Sequence, residues 1–142
     1  MGGAGDDTIT GDSGDDIIIG GKGLDEMSGG DGEDTFAFRS ADEAPFDQNA
    51  VQPEGDTITD FSGSEGQNDV IDLVKVFKGP LTFLGEDAFT GTSGEVRVED
   101  LRIPDTEEGV QQVLVDLDGD TVADMSIVVT SEFTLVEGDF NL

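Results

Sequence analysis

No histidine, cysteine, tryptophan or tyrosine occurs anywhere in this chain. Without cysteine there is no disulfide, no thiolate metal site and no thiol nucleophile. Without histidine there is no imidazole zinc centre and no Ser-His triad. Phenylalanine is the only aromatic, so the Trp or Tyr platform on which sugars commonly stack is missing too. Positive charge is almost as scarce. Lys22, Arg39, Lys75, Lys78, Arg97 and Arg102 are the 6 basic residues against 34 acidic ones, a formal charge of −28. Such a surface repels nucleic acid, anionic lipid and acidic polysaccharide, and it attracts cations. No apolar run approaches the ~20 residues that span a bilayer, and no basic-then-apolar leader opens the sequence. The 142 residues suffice for one domain with a real core. An extracellular protein of this size without disulfides needs another stabiliser, and bound metal is the obvious one.

Glycine and aspartate are abundant instead, and they keep a beat of nine. Residues 2–37 divide into GGAGDDTIT (2–10), GDSGDDIII (11–19), GGKGLDEMS (20–28) and GGDGEDTFA (29–37). Each unit has Gly at its first and fourth places. The sixth place is Asp7, Asp16, Asp25 and Asp34, and the eighth is Ile9, Ile18, Met27 and Phe36. Composition alone would allow a disordered linker, but a linker has no reason to keep both the acidic and the apolar places in register. A phosphate-binding loop around Gly21-Lys22 is excluded, because neither the Gly five places before Gly21 nor the following Ser or Thr is present.

Nonapeptides of this kind are a signature of parallel β-helices that bind calcium. Six residues rich in Gly turn tightly, since Gly enters left-handed conformations without a Cβ clash. Asp12 stands where the second unit would have its second Gly, and Asp tolerates that region better than most residues. The next three residues form a short strand whose middle side chain points inward. Two units make one flattened coil, with units one and three on one edge and units two and four on the other. Each edge then brings two sixth-place carboxylates together among loop carbonyls, at Gly2, Ala4, Gly11, Ser13, Gly20, Gly21, Lys22, Gly23, Gly29, Gly30, Asp31 and Gly32. An all-oxygen donor set suits Ca²⁺ far better than Zn²⁺. Two carboxylates ~4 Å apart repel by as much as ~4 kcal/mol at an effective dielectric near 20. The thin inner column cannot offset that, so ion binding and folding are expected to be one event, with several ions bound. Ile17 and Ile19 flank an inward residue and are expected to face outward.

The repeats, followed by "DTFAF" (34–38), "GDTITDF" (55–61) and "DVIDL" (69–73), resemble the C-terminal RTX region of bacterial proteins exported by type I secretion. The region is similar to the serralysin C-terminal domain and to alginate epimerase accessory modules. "FLGEDAFTGTSGEVRVE" (83–99), "VLVDLDGDTVADMSIVV" (113–129) and "TLVEGDFNL" (134–142) resemble that family's closing sheet. The resemblance implies an all-β fold, a short parallel β-roll capped by a β-sandwich-like C-terminal region. The roll is expected over 2–38 and the cap over 39–142, as one continuous structural domain. Alternation at Val96/Val98, Val113/Val115/Leu117 and Met125/Ile127/Val129 supports the cap independently. Phe36, Phe38, Phe61, Ile71 and Leu73 are expected to close the end of the roll, and the stretch from Asp47 to Gly55 reads as a surface loop. The family also implies that carboxylates from the following segment complete the ion sites. Asp56 matches that role on one edge, and Asp42 or Glu43 is the candidate for the other.

Asp116, Asp118, Asp120 and Asp124 take the first, third, fifth and ninth places of an EF-hand-like loop. Thr121 replaces the turn Gly and Ile127 the bidentate Glu, so the stretch reads as a polar hairpin rather than a strong site. The ending "EGDFNL" resembles the uncleaved signal of type I substrates, which implies that Asp139, Phe140, Asn141 and Leu142 address the chain to an ABC exporter. A terminal tail of this kind is expected to add little to the core. Together these features predict a secreted, monomeric, non-catalytic module that folds on calcium and forms the C-terminal piece of a larger exported protein. A calcium-dependent glycan-binding module is the alternative.

Overall fold

The computed structural model describes residues 1–47, 55–63, 67–101 and 109–142. Most of the expected surface loop after Asp47, and Arg102, lie outside these residues. The chain is all-β, a short parallel roll continued by a β-sandwich-like sheet. Of the first four strands, β1 (Gly3–Ala4) and β4 (Gly21–Lys22) lie in the repeat loops, and β2 (Thr8–Thr10) and β3 (Ile17–Ile18) in the repeat triplets. β5 (Glu26–Ser28) and β6 (Thr35–Ala37) complete the repeats. β2 pairs in parallel with β5, β3 with β6, and β1 with β4. The pairing joins units one and three on one side and two and four on the other, as the nine-residue period requires.

Parallel stacking does not stop at residue 38. β7 (Asp56–Ile58) adds to β5, and β8 (Val70–Asp72) adds to β6. The inward residues therefore form two continuous columns. One runs Ile9, Met27, Ile58 and Val129; the other runs Ile18, Phe36, Ile71 and Phe140. Met27, Phe36, Ile58 and Ile71 are essentially inaccessible to solvent, and each such burial contributes roughly 1.5–3 kcal/mol.

The front sheet, which holds β2, β5 and β7, then changes character, while β3, β6 and β8 with their column form the back. β12 (Met125–Ser131) lies parallel to β7 but antiparallel to β11 (Gly109–Asp116). β11 pairs antiparallel with β10 (Glu95–Asp100), and β9 (Thr82–Phe83) closes that edge. Val96, Val98, Val113, Val115, Met125, Ile127 and Val129 all face the core, in the alternation read from sequence. Phe36, Phe38, Phe61, Ile71 and Leu73 are buried with them. Gln111 is buried on this side for a polar reason. Its amide donates to the Phe133 carbonyl at 2.8 Å and its oxygen accepts from Leu135 N–H at 2.8 Å, pinning the terminal segment to the sheet.

Two expectations fail in this region. Ile17 is exposed at 72% but Ile19 is buried at 7%, because the chain turns into the next repeat loop there and does not continue the outward alternation. The terminal residues are not a loose tail either. β13 (Phe140–Asn141) adds to β8 in parallel, Leu73 N–H donates to Asn141 O at 2.9 Å, and the Phe140 ring lies 5.3 Å from that of Phe83. Phe140 completes the back column, so it belongs to the core.

Candidate metal centre

The repeat loops stack edge by edge through their backbones. Gly3 N–H donates to Gly20 O at 2.8 Å and Gly5 N–H to Lys22 O at 2.7 Å; on the other edge Gly14 N–H donates to Asp31 O at 2.7 Å. Gly2, Ala4, Gly20, Gly21, Lys22 and Gly23 therefore share one edge, and Gly11, Ser13, Gly29, Gly30, Asp31 and Gly32 the other. The first-place glycine has a steric cause. A Cβ on Gly11 would lie 2.5 Å from Gly29 O and 2.8 Å from Asp16 Oδ2, so the carboxylate of each unit folds over its own first residue. Asp12 adopts φ 77°, a left-handed conformation that a carboxamide or carboxylate side chain tolerates.

The sixth-place aspartates form two columns with one hydrogen-bond rule. On the first edge Asp7 N–H donates to Asp25 Oδ1 at 2.8 Å, and Asp25 N–H to Asp56 Oδ1 at 3.0 Å. On the second, Asp16 N–H donates to Asp34 Oδ1 at 2.9 Å, and Asp34 N–H to Asp69 Oδ1 at 3.0 Å. Each Oδ1 thus holds the coil before it. The other oxygens are left over: Oδ2 of Asp25, Asp34 and Asp56 is buried with no hydrogen-bond partner among the described residues. A buried acceptor without a donor costs about 1–3 kcal/mol, and more when it is charged. Burial, with the charges of Asp25 and Glu43 adding and the Asp25 amide opposing, pushes the Asp56 carboxyl up to about 7. Asp69 is raised by burial too, against the amides of Asp34 and Ser62.

Asp69 was not among the sequence candidates, and it holds the place on the second edge considered for Asp42 or Glu43. Asp42 instead makes an exposed ion pair with Lys22 at 3.2 Å. Glu43 accepts from Arg39 N–H at 2.7 Å, and its charge acts on Asp56, at the first edge. A signal for Asp69 exists: Asp-x-apolar recurs as Asp7-Thr8-Ile9, Asp16-Ile17-Ile18, Asp25-Glu26-Met27, Asp34-Thr35-Phe36, Asp56-Thr57-Ile58 and Asp69-Val70-Ile71. Side chains from beyond the repeats cover the last loop. Asp60 accepts from Gly29 N–H at 2.9 Å and Gly30 N–H at 3.0 Å, and Gln67 accepts from Gly32 N–H at 2.5 Å.

Carboxylate oxygens without protons to receive, set among stacked loop carbonyls, are the donor set of a hard cation that takes 6–8 oxygen ligands. The residues present fit calcium. The hairpin acids are built differently. Asp116, Asp118 and Asp120 lie within one cluster, but both oxygens of Asp116 accept from backbone, Gly119 N–H at 2.7 Å and Thr121 N–H at 2.9 Å. Asp118 and Asp120 accept from the amides two residues on. Their carboxylates fold the turn.

Of the terminal residues, Asp139 accepts from Val136 N–H at 2.8 Å, Phe140 is buried, Asn141 is exposed at the sheet edge, and Leu142 packs partly against the core. A cleft of about 340 Å³ lies elsewhere, between the last repeat loop and the end of β12, with Asp60, Phe61, Gln67, Glu132 and Phe133 in its walls.

The family model described as Peptidase M10 serralysin C terminal matches residues 1–141. No curated protein sequence matches the chain. Among solved structures the chain is similar to the AlgE6R3 subunit of the mannuronan C5-epimerase from Azotobacter vinelandii, at a TM-score of 0.61 and 20% identity, over 99% of this chain and 80% of that one. At that identity the likeness is one of fold.

Proposed function

The chain belongs to the Peptidase M10 serralysin C-terminal family, and on that premise we propose that it is a calcium-dependent folding and secretion module of a larger exported protein. One observation carries the reading: Asp25, Asp34 and Asp56 each bury a carboxylate oxygen that no donor among the described residues satisfies. Several calcium ions along the two edges would satisfy them, held by Asp7, Asp16, Asp25, Asp34 and Asp56 with the loop carbonyls. Where calcium is scarce, as in a cytosol, the acidic repeats repel one another and the chain stays threadable. Where calcium is plentiful, outside the cell, the roll over 2–38 folds together with the cap over 39–142. The role is binding and folding rather than catalysis. In this reading Asp139, Phe140, Asn141 and Leu142 address an ABC exporter while the chain is unfolded, and the module acts as a monomer.

Circular dichroism with EGTA and with millimolar Ca²⁺ tests the proposal. A coil spectrum in chelator that becomes β-rich on adding Ca²⁺, with Mg²⁺ a poor substitute, is the expected result. A spectrum unchanged by calcium removal overturns it.

A calcium-dependent glycan-binding module is the second reading. The cleft beside Phe61 and Phe133 favours it, since it has room for a sugar unit and pairs aromatic with carboxylate groups. With a formal charge of −28 the surface opposes an acidic glycan unless calcium bridges the two. A glycan array with and without EGTA separates the readings.

A further inference from the structure

The two aspartate columns follow one rule through their first two members and part at the third. Asp56 ends the first edge fully buried, with Oδ1 on the Asp25 amide and Oδ2 without a partner among the described residues. Asp69 ends the second edge buried to 3% exposure, with Oδ1 on the Asp34 amide. Its Oδ2 accepts from Ser62 N–H at 2.8 Å. The segment that precedes Asp69 thus supplies an amide to its second oxygen, where that of Asp56 receives none among the described residues. Gln67 and Asp60 accept from further amides of the neighbouring loop, Gly32, Gly29 and Gly30, in the wall of the cleft described above. At the first edge Glu43 acts on Asp56 as one more negative charge, and the Lys22 ammonium pairs with exposed Asp42.

We infer that the roll is unequal at its closing end: Asp56 is a ligand of a terminal divalent cation that the second edge lacks, and Asp69 is a backbone cap that binds none. The inference rests on the calcium reading above and adds to it which edge takes the last ion. Its chemistry is elementary. A carboxylate oxygen that already receives an amide proton has less to offer an ion, and one sealed from both protein donors and water has nothing else to balance it.

The test compares Asp56→Asn with Asp69→Asn in the full chain. Each substitution keeps a carbonyl oxygen for the amide of the preceding column member, so the ladder can survive both. Native mass spectrometry at saturating Ca²⁺ counts bound ions. Urea unfolding across a calcium series gives a second count, since the slope of stability on log calcium equals the number of ions taken up on folding. Asp56→Asn is expected to lose one ion and to lower that slope by about one. Asp69→Asn is expected to keep the wild-type count and slope, with a lower urea midpoint at every calcium level because Ser62 N–H then faces an amide nitrogen. Loss of an ion in Asp69→Asn, or the full count in Asp56→Asn, overturns the unequal closing end while leaving calcium binding intact. A wild-type chain that takes up no calcium overturns the calcium reading itself, and this inference with it.

Discussion

The roll and the antiparallel strands share a front sheet yet are held by opposite means. Between β2 and β7 the sheet is short strands of three residues, and carboxylates hydrogen-bonded to the preceding coil tie the coils together. Between β12 and β10 the strands run six to eight residues, and their inner faces are mostly Val, Ile and Met, with the buried Gln111 satisfied by the Phe133 carbonyl and the Leu135 amide. The join is a single parallel ladder, Asp56 to Ile127, Thr57 to Val128 and Ile58 to Val129. One half of the molecule is stable because apolar surface leaves water. The other half buries three carboxylate oxygens that no donor among the described residues matches. A protein built this way can have a strong core and still depend on an ion.

Breaking the apolar half should give the largest effect. Ile127→Ala removes an inaccessible side chain at the join and is expected to cost about 2–5 kcal/mol at saturating calcium. Chemical denaturation measures it, and a loss below ~1 kcal/mol would mean that the antiparallel strands do not support the roll. Phe140→Ser is expected to be nearly as damaging, about 3 kcal/mol, because it empties the end of the back column and puts a hydroxyl there. Substitutions at the terminus should therefore weaken folding and any export together. A Phe140→Ser chain that folds like the wild type would show that β13 is dispensable.

Acids of the two halves sharpen the comparison at a smaller scale. Asp25→Ala is expected to raise the calcium midpoint of folding tenfold or more, about 1.4 kcal/mol, since it removes a buried unpartnered oxygen and the acceptor of the Asp7 amide. Asp120→Ala, at an exposed turn, is expected to shift it less than twofold. The reverse order in calorimetric titration would move the ion from the roll to the hairpin.

Acidity offers a subtler probe. The Asp56 carboxyl is raised by burial from 3.8 to about 7, so without metal its contribution to stability is fully present below pH ~4 and is lost as pH rises through ~7. In chelator the thermal midpoint should thus fall between pH 5 and pH 7.5, while saturating calcium should flatten or reverse the trend. Asp56→Asn should remove this part of the slope. The smallest effect is reserved for Asp42→Asn, whose exposed pair with Lys22 should be worth under ~0.5 kcal/mol.

Much of this was legible because the repeat is local. Nine-residue spacing places Asp7 under Asp25 and Asp16 under Asp34 with no knowledge of the rest of the chain, and the observed ladders follow it. The alternation in β10, β11 and β12 likewise states which face is buried. Asp69 was harder, because it sits 35 residues after Asp34 and the spacing is broken by an irregular segment. Only the Asp-x-apolar triplet survives to mark it. Ile19 and Phe140 misled for a related reason: local pattern says which way a side chain points, not what lies across from it.

The period of the repeats, the placing of aspartate before each inward residue and the excess of negative charge were determined by the sequence alone, since each is set by contacts within one coil or by composition. The tertiary structure decided where the two columns end. It brought Ser62 N–H to Asp69 and, among the described residues, no donor to the far oxygen of Asp56, and it laid Phe140 beside Ile71. Those pairings join residues whose separation along the chain carries no period, so only the packing of the cap against the roll could select them.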